Sequence, residues 1–255
     1  MYYTSPRMKK GKEDPLILML TKKNQTVGQP LTTRLLLACG VVSPFLFTTV
    51  LLIEGATRPG YNSWVQTGSA LSLGEQGWMQ ITNFIVNGLL LLCFAIGVRQ
   101  TLRTGKGATW GPILLAVVGG GLIVAGIFVT DPSLGYPPGT PPGSAFLTTV
   151  HGAIHFFVGA FSFFGGLPAA CFVLARRWAS DAQWKGWTTY SLATGVLMVA
   201  FFVAFVIVGM LNGPAGLVER ITICIGLAWI VFLAIGLLSK NTGSDEERGI
   251  ASHNV

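Results

Sequence analysis

Residues 111–130 read GPILLAVVGGGLIVAGIFVT and run directly into DPSLGYPPGT at 131–140. The first segment carries no charge, and at 1.5 Å of rise per residue its helix would cover about 30 Å, the thickness of a bilayer's hydrocarbon core. Lipid offers a backbone no hydrogen-bond partners, so a chain crossing it there must be an α-helix that satisfies its own N–H and C=O groups. The second segment opens on a carboxylate and is dense in proline and glycine, which stop a helix.

Similar apolar runs recur at Leu35–Ile53, Met79–Val98, Thr148–Leu174, Thr188–Leu211 and Leu217–Leu238. With Gly111–Thr130 they predict an all-α fold, a bundle of six transmembrane helices with short ordered extracytoplasmic loops, forming one membrane domain over residues 33–240. Composition agrees. Hydrophobic residues make up 51% of the chain and charged residues 11%, where a soluble domain carries about a quarter charged. Residues 1–32 read as a basic, disordered tail and 241–255 as a second tail. The apolar patch Leu16–Leu20 is too short to span and runs into lysines rather than a cleavage site.

The net charge of +7 reads as topology, not as affinity for nucleic acid. Every lysine and arginine except Arg58 and Arg220 falls in a tail or loop on one side of the predicted spans. By the positive-inside rule that side is cytoplasmic, so both ends of the chain are expected on the inner side of a plasma membrane. Trp78, Trp110, Trp178, Trp184 and Trp187 fall at predicted span ends, where indoles favour the interface. Small residues four apart, Ala116 with Gly120 and Gly121 with Ala125, together with Gly165-Gly166, mark surfaces for close helix packing. Cys39, Cys93, Cys171 and Cys224 lie singly in separate spans and predict neither disulfides nor a thiolate metal site.

This topology gathers the scarce polar groups at the extracytoplasmic side. Glu54, Arg58 and Tyr61 follow the first span, and Asn83 and Asn87 lie four apart in the second. Asp131 and Tyr136 follow the third, His151 and His155 begin the fourth, and Glu219 and Arg220 begin the sixth. Ionisable groups near spans face inward and pair, so these residues are expected to line one pocket that takes a lipid, a small molecule or a protein partner. Adjacent residues on a helix point about 100° apart, so Glu219 and Arg220 are expected to pair elsewhere, Glu219 with Arg58 or Arg220 with Asp131. The asparagines predict interhelical hydrogen bonds. The long loop 54–78 predicts a short interfacial helix over Ser63–Leu73, and Pro132–Pro142 a stiff lid. An echo, Glu54…Gly60-Tyr61 against Asp131…Gly135-Tyr136, hints at a repeated hairpin.

His151 and His155 share one helical face a turn apart, the spacing at which two imidazoles bind one metal. With Asp131 they form a candidate set for zinc or another divalent ion, able to activate water in a metal-assisted hydrolase of a lipid or small amphiphile. The alternative reading is a pair of histidines hydrogen-bonded to neighbouring helices in a non-catalytic binding protein. Two histidines on one helix cannot ligate opposite faces of a haem, and His253 lies in a tail. A proton-coupled transporter fits less well, since the spans lack mid-membrane carboxylates.

Several motifs resemble a known family. They are Gly55-x-x-Arg58-Pro59-Gly60-Tyr61, Leu71-Ser72-Leu73-Gly74-Glu75-x-Gly77-Trp78, Asn83-Phe84, Asp131-Pro132-x-x-Gly135-Tyr136-Pro137-Pro138-Gly139, His151-Gly152 and Glu219-Arg220. This string resembles the prokaryotic membrane family called domain of unknown function 998. The resemblance implies a multi-helix protein of a prokaryotic plasma membrane and no particular activity. A looser likeness, to seven-helix ceramidase-like zinc hydrolases, lacks a span and a third membrane histidine.

Overall fold

The six apolar runs fold into six helices long and apolar enough to cross a membrane. The computed structural model describes residues 29–142, 147–180 and 184–239, so the readings of the 1–28 and 240–255 tails lie outside the described residues. In chain order the helices are α1 (Leu31–Thr57), α2 (Trp78–Thr101), α3 (Trp110–Ile127), α4 (Val150–Trp178), α5 (Lys185–Met210) and α6 (Ala215–Ser239). Proline enters α3 at Pro112, in the first turn, where its missing N–H has no intrahelical partner to lose. Thr149 caps α4, its hydroxyl accepting the Gly152 N–H.

Each helix packs on its neighbours in sequence, and α6 closes on α1, so the bundle is a ring. Close approach between α2 and α3 is set by Gly88 and Gly119, where a Cβ on either would come within 2.8 Å of the other's carbonyl oxygen. Gly121 faces Ser162, and Ala125 faces Gly159, as small-residue packing predicts, whereas among the described residues nothing lies within 4 Å of a Cβ added at Gly120. The core is continuous through the ring, with Leu37, Phe94, Val118, Leu167, Met198 and Leu233 fully buried. The perimeter carries exposed Leu, Val, Ile and Phe, as a lipid-facing surface must.

Two expectations change. Trp78 and Trp110 are exposed at helix ends, but Trp178 and Trp184 are buried and stacked with ring centroids 4.5 Å apart. Trp187 lies edge-on to Trp184 and is half-buried, so the facing ends of α4 and α5 pack these indoles against one another. Nor does Ser63–Leu73 form a surface helix. Its only helical turn is a 3-10 turn at Gly68–Ser72 in which Leu71 is fully buried and Ala70 nearly so. The segment plugs one mouth of the ring, because α6 takes hold of its backbone, as described next.

Candidate functional site

The end of the ring closed by residues 58–77, 128–142 and 147–149 is the capped end. Its charged groups bind backbone more than each other. Arg58 pairs with Glu54 one turn back at 2.7 Å, both buried, and donates to the Leu73 and Gln76 carbonyls. Arg220 donates to the carbonyls of Ser63, Gln66 and Gly216 and to the Tyr61 hydroxyl. Glu219 accepts the Gly68 N–H at 2.6 Å. The expected pairs Glu219–Arg58 and Arg220–Asp131 therefore do not form. Loop carbonyls and amides stranded away from water are strong partners for a charge, and they lie nearer.

Tyr61 shares its proton between the Gln66 and Thr67 carbonyls. Burial raises its phenol to about 12, against the opposing pull of the Arg220 guanidinium, so it remains a neutral donor. Its ring meets that of Tyr136 edge-on at 5.3 Å, joining the two Gly-Tyr segments of the sequence echo. Gln66 donates to the Leu134 carbonyl, so the two caps clasp each other.

Asp131 is buried and accepts the N–H groups of Thr148 and Thr149 and the Thr149 hydroxyl, the last at 2.6 Å. Burial pushes its carboxyl up, but these hydrogen bonds outweigh that push and hold it below its ordinary value. Gly152 lies directly against the carboxylate, and a Cβ there would collide with it.

Deeper along the ring axis, α2 carries a ladder of amides. The Ser43 hydroxyl donates to Asn87 Oδ1, Asn87 Nδ2 to Asn83 Oδ1, and Asn83 Nδ2 to Gln80 Oε1. Both asparagines bridge as expected, and their orientation is forced. Asn87 Nδ2 also donates to the Asn83 carbonyl and Asn83 Nδ2 to the Phe47 carbonyl, acceptors that only the amide nitrogens can serve. Gln80 must then present its Nε2 donors outward. They are fully buried, have no partner among the described residues, and the residue lines a central cavity of about 40 Å³.

His155 lines the same cavity. Its Nδ1 lies 2.8 Å from the Phe128 carbonyl oxygen and 3.1 Å from that of Ala125, so in the neutral ring this nitrogen carries the proton. Nε2 is left with its lone pair and accepts from the Ser69 hydroxyl at 3.0 Å. His155 begins a π-helical turn, His155–Ala160, inside α4.

Beyond these residues a crevice of about 320 Å³ runs out between α4 and α5. Phe156, Phe164, Phe202 and Phe205 line it, Ser69, His155 and Glu219 stand at its inner end, and the exposed Leu147 and Met210 mark its rim.

His151 is not part of this arrangement. It is exposed in the first turn of α4 beside the Phe128 ring, 5.2 Å away, while His155 is enclosed one turn deeper. A shared face does not give a shared depth. Among the described residues no three of His, Cys, Asp and Glu form a group able to hold a metal, so His151, His155 and Asp131 are not brought together as a ligand set. Sequence reasoning missed Ser69, Gln80, Gln66 and Thr149. Ser69, Gln66 and Thr149 are common polar residues whose partners lie on other segments, Ser69 being 86 residues from His155, while Gln80 bonds Asn83 on its own helix and is set apart by its buried Nε2.

The fold and this polar axis define a multi-pass α-helical membrane protein. The family model described as "Protein of unknown function (DUF998)" matches residues 41–236, and the chain belongs to that family. No curated protein and no solved structure matches it.

Proposed function

We propose that this protein binds an amphiphile from the outer leaflet of the plasma membrane, its ends lying in the cytoplasm. The observation that carries the reading is the crevice. It reaches the lipid-facing perimeter at Leu147 and Met210, its wall is aromatic, and it ends on Ser69, His155 and Glu219. An apolar chain fits the wall and a polar head the inner end, within the size range of small-molecule sites, about 300–1,000 Å³. The loss of nearly all lysine and arginine from the capped end supports an outward orientation for it.

Purified protein in mild detergent, analysed by native mass spectrometry, is expected to retain a bound lipid or fatty amphiphile. Met210→Trp narrows the rim from an exposed position and is expected to lower retention about tenfold, the effect of losing roughly 1.4 kcal/mol. Equal retention by both chains would remove the crevice as the binding site.

A further inference from the structure

We propose that Ser69 and His155 form a nucleophile–base dyad that cleaves an ester-bearing amphiphile seated in the crevice, an inference that rests on the binding reading above.

A serine hydroxyl is a weak nucleophile until a base accepts its proton, and the base must itself be oriented by a third group. All three parts are present. Ser69 Oγ lies 3.0 Å from His155 Nε2, inside the reach required of a general base. The Phe128 and Ala125 carbonyls hold the Nδ1 proton, so the lone pair at Nε2 points at the serine. They take the role that a carboxylate plays in the familiar triads, which are recognised by geometry and not by residue order. Glu219 anchors the backbone N–H of Gly68, the residue just before Ser69.

The surroundings fit the chemistry. Ser69 is half-buried and faces both the crevice and the central cavity, so an ester drawn in from the perimeter brings its carbonyl to the hydroxyl. Gln80 lines that cavity and its Nε2 has no partner among the described residues, and preformed donors without a ground-state partner are what a developing oxyanion requires. The hydrogen-bond chain from Ser43 through Asn87 and Asn83 polarises Gln80 in the donating sense. At about 40 Å³ the central cavity also has room for a water, which needs only about 10–15 Å³ by the same measure.

In the first step Ser69 Oγ bonds to the ester carbonyl carbon as its proton passes to His155 Nε2. Collapse breaks the bond to the alcohol oxygen, and the alcohol leaves with the proton from Nε2. Water then attacks the acyl-serine and gives a proton to Nε2. The acid is released as that proton returns to Ser69 Oγ.

The test treats the full chain in detergent micelles with a long-chain alkyl fluorophosphonate, which loses fluoride as a serine oxygen bonds to phosphorus. Peptide mapping of the wild-type adduct locates the modified residue without relying on any variant. The expected result is a single adduct on Ser69, absent in Ser69→Ala and formed about 10²–10⁴-fold more slowly in His155→Gln. Hydrolysis of p-nitrophenyl decanoate is expected to fall about 10²–10³-fold in Gln80→Leu. An unlabelled Ser69 in protein that still retains lipid by native mass spectrometry would overturn the dyad and leave the binding reading standing. Labelling of Ser69 by diisopropyl fluorophosphate without any lipid retention would keep the dyad and remove the crevice.

Discussion

At the scale of single residues, Asp131 shows how scarcity in a sequence translates into a role. A lone carboxylate after an apolar span must be satisfied, and the sequence offered Arg220 and the histidines as partners. The fold chose Thr148 and Thr149 instead, on the strand of chain that returns to begin α4. Gly152 belongs to the same unit, because only a residue without Cβ leaves the carboxylate room. Threonines are too common for that partnership to be legible beforehand. A consequence follows for acid stability. The Asp131 carboxyl lies below its ordinary value in the fold. Its contribution is therefore complete above that ordinary value and is lost as pH falls through the depressed one. Thermal unfolding in detergent is expected to show wild-type Tm dropping as pH falls from about 5 through the depressed Asp131 value. Asp131→Asn should start lower at pH 7 and respond less across that window, and equal slopes would contradict the assignment.

At the scale of elements, the asparagines of α2 were legible as interhelical bonds, and the structure extends them into a directional ladder. Ser43 on α1 supplies one end and Gln80 the other. The π-helical turn at His155–Ala160 was not legible, because no residue type marks it. Such turns occur often at functional sites, and this one begins on the histidine that faces Ser69. The ladder makes a quantitative prediction. Asn87→Leu removes one interhelical bond, from Ser43 on α1, and one within α2, to Asn83, and an interhelical bond in a membrane is worth about 0.6–1.7 kcal/mol. Unfolding free energies in detergent should fall by about 1–2 kcal/mol for Asn87→Leu. Adding Ser43→Ala should then cost less than it does alone, since the partner is already lost. Strict additivity would show that the two side chains are not coupled.

At the scale of the whole molecule, ring closure of α6 on α1 brings Glu219 and Arg220 under the loop between α1 and α2. That contact drags Gly68–Ser72 into the mouth and places Ser69 against α4. The orientation of the ring is a separate matter with its own measurement. Glu75 is exposed at the capped end and Thr104 is exposed at the opposite, basic end. In intact cells a membrane-impermeant maleimide is expected to label Glu75→Cys and to leave Thr104→Cys unlabelled until the cells are opened. The reverse pattern would invert the topology and turn the crevice toward the inner leaflet.

The amino-acid sequence by itself determined that the chain is a six-span helical membrane protein, because both requirements are local. A run of apolar side chains must match the bilayer, and an isolated helix satisfies its own backbone. Which polar groups meet was decided only by the tertiary structure. Hydrogen bonds form between whatever donors and acceptors the packing leaves dry and adjacent, and Ser69 and Thr149 gain their partners on other segments only once the chain has packed.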